Sequence, residues 1–367
     1  MKTLRVDLGY RSYPIVVGKA VLRRAGKILC RLGFSSPPVI VTNSLVWRTH
    51  GAALLASLEG SFGSAAVIGM GDGERFKTHE SLLKIYEGLF RAHADRRSWI
   101  LAFGGGVVGD VAGFAAATFM RGIPYASVPT TLLAQVDSSI GGKVGINVAR
   151  GKNLIGAFHQ PSAVLSDTEI LTTLPDRELA SGLYEVVKCG AIRSAGLLHY
   201  VDRNLSAILD RRSGPLGHVI LESSRIKAEV VSGDERENDL RMVLNYGHTV
   251  GHALEAATSY RRFKHGEAVA WGMIAAAGFG RELGMLASDD VRLLVRLIHA
   301  ISDLPSLRGI GLQDLWNALK RDKKFRAGSI RMVLLQRLGA TEIVTDVSPS
   351  HLKRFLRTFL ETGGHVV

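Results

Sequence analysis

Residues 98–167 read SWILAFGGGVVGDVAGFAAATFMRGIPYASVPTTLLAQVDSSIGGKVGINVARGKNLIGAFHQPSAVLSD, and this stretch decides the fold. An apolar run from Trp99 to Phe103 enters Gly104, Gly106 and Gly109, then an Ala-rich stretch of helical character. That is G-x-G-x-x-G with a strand before it and a helix after it, the context the pattern requires. Glycines there let the backbone approach a pyrophosphate, and the helix N-terminus offers free N–H groups with partial positive charge. A tight strand-to-helix turn without a ligand would use the same glycines. Further on, Asp137-Ser138-Ser139-Ile140-Gly141-Gly142-Lys143 predicts a second Gly-rich turn, followed by Gly145, Asn147 and Gly151-Lys152-Asn153. A structural turn needs its glycines but not Lys143, Lys152 and Asn153 beside them. An anionic, hydroxyl-rich ligand needs both.

Working outward, seven short apolar runs predict strands at 3–8, 13–17, 38–41, 65–69, 99–103, 125–128 and 163–166. Helical patterns at 19–32, 78–94 and 108–119 fall between several of them. This βαβ rhythm predicts a mostly parallel sheet covered on both faces. Ligands of such sheets sit beyond the carboxyl ends of the strands, where the Gly104 loop, Thr42-Asn43 and Gly71-Asp72-Gly73-Glu74 fall. After Leu174-Pro175-Asp176 the period becomes helical, with Asp176 as the expected N-cap. Helices are expected at 177–192, 216–231, 248–258, 266–283, 289–301, 312–321 and 351–360, and one hairpin at 330–335 and 341–344. The expected architecture is therefore α/β: an N-terminal Rossmann-like nucleotide-binding domain at 1–175, then a mostly helical domain at 176–367.

The composition is that of a globular protein, with 367 residues, 46% hydrophobic and 22% charged. No apolar segment is long enough to cross a bilayer, and the N-terminal residues alternate like a strand rather than an export signal. Cys30 and Cys189 are too few for a disulfide framework, so a cytoplasmic location is expected. A net charge of +13 invites a nucleic-acid partner. The basic residues are scattered, however, as at Arg96-Arg97, Arg211-Arg212 and Arg261-Arg262, without aromatic interleaving. A positive surface that steers a small polyanion explains them more economically, and neither nucleic acid nor membrane is expected as a partner.

In the second half, Glu185 and Lys188 share a helix face at i and i+3, as a surface ion pair would. His248 and His252 share another at i and i+4, a spacing that suits one divalent metal or simply two satisfied histidines. His265-Gly266-Glu267 opens the next helix with a third histidine.

The run 98–167 and the segments ELASGLYEVVKCG, DERENDLRMVLNYGHTVGHALEA and HGEAVAWGM together resemble the 3-dehydroquinate synthase family. Gly71 to Glu74 with Lys77, and Asp322-Lys323-Lys324 late in the chain, extend the resemblance over nearly its whole length. The resemblance implies a homodimer that uses NAD and one divalent metal, zinc or cobalt. It makes Glu185, His248 and His265 the metal ligands and moves His252 to the substrate side. For NAD it points to Asn43, Asp72, Gly73, Glu74, Lys77, Gly105, Gly106, Val107, Asp110, Thr130, Thr131, Lys152 and the turn Ile170, Leu171, Thr172, Thr173. It gives catalytic roles to Lys143, Lys188, Lys227, Arg241, Asn245 and His252, and substrate contacts to Arg121, Asp137, Asn153 and Lys324. So many cations suit a sugar acid that carries both a carboxylate and a phosphate.

The implied substrate is 3-deoxy-D-arabino-heptulosonate 7-phosphate. The implied chemistry is oxidation at C5, β-elimination of phosphate, re-reduction and intramolecular aldol closure to 3-dehydroquinate, a shikimate-pathway step. Tyr184, Cys189 and Tyr246 depart from the family's usual residues, and the two tyrosines are expected to narrow the metal pocket or stack beside it. The nearest rivals are other sugar-phosphate cyclases, of the 2-deoxy-scyllo-inosose or valiolone type. A metal-dependent polyol dehydrogenase of the glycerol dehydrogenase kind follows, and a DNA- or RNA-binding protein comes last. The Ser-Ser-x-Gly-Gly-Lys pattern at 138–143 favours dehydroquinate synthase over the other cyclases.

Overall fold

Seven strands form the main sheet, in the order β1-β2-β9-β6-β5-β3-β4. They are β1 (Lys2–Val6), β2 (Tyr13–Gly18), β3 (Val39–Asn43), β4 (Ala66–Met70), β5 (Ile100–Gly104), β6 (Tyr125–Pro129) and β9 (Ala163–Asp167). These are the seven apolar runs of the sequence. β1 pairs antiparallel with β2, and every other pair is parallel. β3, β5, β6 and β9 are buried at every residue, as parallel strands covered on both faces must be. The structure is a computed structural model, and it describes every residue except 322–324, 327, 328 and Val367.

Helices cover both faces of this sheet. α3 (His79–Arg91) and α4 (Gly106–Thr118) supply Leu82, Ile85, Leu89 and Val111 to one core. α1 (Ala25–Arg31) and α2 (Ser44–Phe62) supply Leu29, Leu54 and Leu58 to the other. The expected helix at 19–32 begins as a separate 3-10 turn, Leu22–Arg24, before α1. β7 (Lys143–Val148) and β8 (Gly151–Phe158) form an antiparallel hairpin of their own.

The remaining helices are α5 (Asp176–Arg193), α6 (Ala195–Leu209), α7 (Ser213–Gly233), α8 (His248–Ala257), α9 (His265–Glu282), α10 (Ser288–Ile301), α11 (Leu312–Arg321) and α12 (Pro349–Glu361). β10 (Phe325–Arg326), β11 (Ser329–Arg337) and β12 (Ala340–Val347) make a small sheet that contains the expected hairpin. Two compact units result: residues 1–175 with 211–236, and residues 176–210 with 237–367. The division at Pro175 coincides with the boundary read from the sequence, but 211–236 belongs with the sheet. Hydrogen bonds explain the return of α7. Ser224 Oγ donates to the Gln135 carbonyl at 3.3 Å, Asp7 N donates to Ser232 Oγ at 2.9 Å, and Arg11 forks onto Glu235. A helical period cannot reveal which core a helix joins.

In the second unit α9 is buried without a break from Gly266 to Gly280, and small residues let its neighbours come close. A Cβ on Gly272 would stand 1.8 Å from the Gly247 carbonyl oxygen, and one on Gly266 would stand 2.0 Å from that of Ser181. The backbones of α5, α8 and α9 therefore meet where their functional residues begin. Among the described residues, no helix is long and apolar enough to cross a membrane.

Candidate active site

In the first unit the sheet reverses direction between β3 and β5: β3 leads outward to β4, whereas β5 leads to β6 and β9 on the other side. Such a switch point opens a crevice beyond the strand ends. Gly104 ends β5, Gly105 is the N-cap of α4, and no side chain caps that helix. The N–H groups of its first turn lack intrahelical acceptors and carry the positive end of the helix dipole. A Cβ on Gly104 would lie 2.6 Å from Val108 Cβ, and one on Gly106 would lie 2.9 Å from Ser138 Oγ. Close packing against Val108 and Ser138 therefore calls for glycine at both positions, and a glycine loop at an uncapped helix N-terminus fits a dinucleotide pyrophosphate.

Around it, Asn43 uses both ends of its amide. Its Oδ1 accepts from Val46 N at 2.8 Å and caps α2, while its Nδ2 donates to Asp72 Oδ1 at 2.8 Å. Gly73 has φ +91°, the left-handed geometry that turns the chain after β4 into Glu74. Lys77 is buried, and its ammonium bonds Asp110 Oδ2 and Asn153 Oδ1. Burial raises the Asp110 carboxyl above its ordinary pKa, and the Lys77 charge opposes that rise. Asn147 Nδ2 donates to Glu74 Oε1 at 2.7 Å, so the β7–β8 hairpin is tied to this cluster. Thr130 is buried after β6, and Thr131 Oγ1 accepts from Ala134 N at 3.1 Å. The turn Ile170–Thr173 follows β9, and its Thr173 Oγ1 lies 2.9 Å from His50 Nε2.

Gly141 and Gly142 both have positive φ, so a Gly-rich turn does precede Lys143, which starts β7. Just upstream, Asp137 pairs with Lys227 of α7, whose Nζ lies 2.5 Å from Oδ1 and 2.7 Å from the Asp137 carbonyl. Arg121, Lys143 and Lys152 are at least partly exposed, Arg121 just past the end of α4 with φ +69°. Lys324 lies outside the described residues.

In the second unit Glu185 and Lys188 are not a surface pair. Their side chains are 0% and 2% exposed, and the ammonium contacts Glu185 Oε2. Neither oxygen receives a hydrogen bond among the described residues, so the ammonium's hold on Oε2 is one of charge. The other oxygen, Oε1, faces two imidazoles, with His248 Nε2 at 3.7 Å and His265 Nε2 at 3.6 Å. Those gaps are too long for hydrogen bonds, but they suit three donors that share one cation at about 2.0–2.2 Å from each. A buried carboxylate with an unsatisfied oxygen beside two ring nitrogens fits a divalent metal. His248 is held ready as a ligand. Its Nδ1 lies 3.1 Å from the Tyr246 carbonyl, and burial, then the Lys188 charge, keep it neutral by pushing its pKa well down. His252 stands with them: ligand atoms of His248, His252 and His265 all lie within 4.8 Å of one another.

Arg241 is buried in the 3-10 segment Leu240–Asn245, and Asn245 Nδ2 donates to Glu237 Oε1 at 2.9 Å. Gly247 follows in the left-handed region at φ +78° and turns this segment into α8. The expectation for the two tyrosines does not hold. Tyr184 sends its hydroxyl to Ser302 at 2.9 Å, with its pKa pushed up to about 12 by burial, and Tyr246 sends its own to the Met273 carbonyl at 3.3 Å. Both are core residues anchored by their phenol oxygens. Glu255, whose carboxylate reaches His265, is missing from the sequence reading. Within HALEA an acid three residues past His252 gives no signal unless the start of α9 is known to lie against it.

Two sequence models of known families match the chain: the 3-dehydroquinate synthase N-terminal model over residues 67–181, and the C-terminal model over residues 182–325. A 3-dehydroquinate synthase of Pelotomaculum thermopropionicum is 46% identical over 365 residues, covering 99% of this chain and 97% of the relative. Among solved structures, a 2-epi-5-epi-valiolone synthase of Streptomyces hygroscopicus subsp. jinggangensis, with NAD+ and Zn2+ bound, is 27% identical at a TM-score of 0.87, covering 99% of both chains. A 2-deoxy-scyllo-inosose synthase complexed with carbaglucose-6-phosphate, NAD+ and Co2+ is 28% identical at 0.87, covering 97% of this chain and 99% of that one. The glycine cradle, the buried carboxylate–imidazole set and these matches agree, and the chain belongs to the 3-dehydroquinate synthase family.

Proposed function

We infer that the chain is an NAD- and metal-dependent 3-dehydroquinate synthase, converting 3-deoxy-D-arabino-heptulosonate 7-phosphate to 3-dehydroquinate and phosphate. The observation that carries this within the family is the Glu185–His248–His265 set, built from three helices around one buried carboxylate. We assign the metal to these residues and NAD to the Gly104–Gly106 cradle with Asn43, Asp72, Lys77 and Asp110. When bound, NAD supplies hydride acceptance and return at C5, and the ion supplies Lewis acidity at the C5 oxygen.

The chain's own side chains do the rest. One carboxylate and two neutral imidazoles leave coordination positions open for substrate. We assign the phosphate to Lys143 and Asn153 of the first unit, which stabilise its charge as it leaves and so favour elimination, and an anion-binding role to the buried Arg241 of the second. His252, with Asn245, manages protons beside the metal ligands. The buried Lys188 ammonium and the Lys227–Asp137 pair fix polar groups for the sugar hydroxyls. Substrate phosphate itself can take the C6 proton, so much of the work is positioning.

The other sugar-phosphate cyclases share the fold at 27–28% identity, against 46% for the synthase relative. We place the enzyme in the cytoplasm, where Cys30 and Cys189, neither of them in a disulfide, suit a reducing environment. A homodimer is supported by Leu154, Ile155 and Phe158 of β8, which are 53%, 46% and 44% exposed. The deciding assay is phosphate release from the heptulosonate phosphate with NAD and zinc, before and after chelation. Chelator-sensitive release without net NADH is the expected result. No release, with steady NADH from a simple polyol, would transfer the chain to the dehydrogenases.

A further inference from the structure

Both candidate ligand rings present Nε2 to Glu185, so each must have its second nitrogen accounted for. His248 Nδ1 lies 3.1 Å from a backbone carbonyl, that of Tyr246. His265 Nδ1 lies 3.3 Å from Glu255 Oε2, a carboxylate whose side chain is 6% exposed. With Nδ1–H donating to these oxygens, both rings adopt the tautomer whose Nε2 lone pair is free for a metal. The two partners differ in charge. A carbonyl only orients a ring, whereas a buried carboxylate also raises the basicity of the imidazole that donates to it.

Glu255 sits on α8 within the same short helix as His248 and His252, and it reaches across to the first residue of α9. His265 needs such a hold more than His248 does. His265 opens its helix and its side chain is 31% exposed, against 10% for His248, so packing restrains it less. We propose that Glu255 is a positioning residue for the metal. Hydrogen-bonded to His265 Nδ1, it sets the ring's tautomer and orientation and strengthens it as a donor. It touches neither substrate nor metal. The inference rests on the metal assignment made above.

The test uses the metal-free full-length protein, titrated with cobalt(II) in competition with a chelator, in the wild type and in Glu255→Gln, Glu255→Ala and His265→Ala. Wild type is expected to take one equivalent. Glu255→Ala should raise the dissociation constant about 10–100-fold, and Glu255→Gln, which keeps the shape and an acceptor but not the charge, should fall between. The cobalt visible spectrum should shift in both, because the ligand field follows the basicity of the imidazole. NAD affinity, which reports on the other unit, should stay at the wild-type value. If the alanine variant does not fold, the glutamine variant decides. Wild-type affinity and an unshifted cobalt spectrum in folded Glu255→Gln would overturn the role of Glu255 alone. Failure of the wild type to bind cobalt, or unaltered binding in His265→Ala, would overturn the metal assignment and this inference with it.

Discussion

Glu185 and Lys188, one turn apart on α5, form an ion pair from which water is nearly excluded, their side chains 0% and 2% exposed. Breaking such a pair by removing one partner leaves a charge buried without compensation, which costs about 3–5 kcal/mol. Replacing both partners by neutral groups of similar shape avoids that penalty. Glu185→Gln and Lys188→Met should each destabilise the metal-free protein by about that amount, and the double variant should recover most of it. Urea denaturation of the four metal-free proteins measures the cycle. Additive losses would mean that the two groups are not coupled.

The three histidines should separate by role. His265→Ala should lose stoichiometric metal and all phosphate release while the second unit keeps its helical content. His252→Ala should keep one equivalent of metal and lose turnover by about 100-fold, as removal of a proton-transfer group does. Metal content by elemental analysis, set beside phosphate release, decides the matter. Metal loss in His252→Ala would restore the i, i+4 pair with His248 as ligands.

The sequence alone made much of this legible. All seven strands of the sheet were short runs with turn residues at their ends, and β3, β5, β6 and β9 were the plainest, because parallel strands buried on both faces cannot hide their composition. The Gly104 cradle was legible for the same local reason: strand, glycines and helix are adjacent in the chain. The depth of Glu185 and Lys188 was not. A pair at i and i+3 looks the same on a surface as in a core, and the close approach of α9 to α5, where Gly266 lies against Ser181, is not visible in that spacing. The destination of α7 was hidden too, since its apolar face would serve either unit. Tyr184 and Tyr246 misled because their places beside Glu185 and His248 in the chain say nothing about which way a helix turns them.

Two lysines of the first unit should also part company. Lys77 is buried between Asp110 and Asn153 at the strand ends, whereas Lys143 stands exposed at the start of β7. Lys77→Met strips charge-assisted hydrogen bonds from a nucleotide-side cluster and should weaken NAD binding about 10-fold or more. Lys143→Ala should leave NAD affinity within a factor of about two and slow phosphate release about 100-fold, the scale of losing one charge-stabilising donor. Calorimetric titration with NAD and a phosphate assay give the two numbers. A collapse of NAD affinity in Lys143→Ala would show that the division between nucleotide and substrate loops is drawn in the wrong place.

The end of α7 supplies a pH dependence. Arg11, just before β2, forks onto Glu235 at 2.5 and 2.7 Å, and the hydrogen bonds from its guanidinium hold the Glu235 carboxyl below its ordinary pKa of 4.5. A carboxyl whose folded pKa lies below its unfolded one contributes stability that is complete above the unfolded value and is lost as pH falls through the folded one. Arg11 is 42% exposed, so solvent screening limits the effect to no more than about 1 kcal/mol. Arg11→Gln should therefore be slightly less stable than wild type at pH 7, and the gap should close as the pH drops below about 4.5. It should also shrink in high salt at neutral pH, since one partner is open to solvent. Urea midpoints between pH 3 and pH 7 measure it. A gap that stays constant down to pH 3 would mean that Arg11 acts through packing at the β1–β2 turn and not through the charge of Glu235.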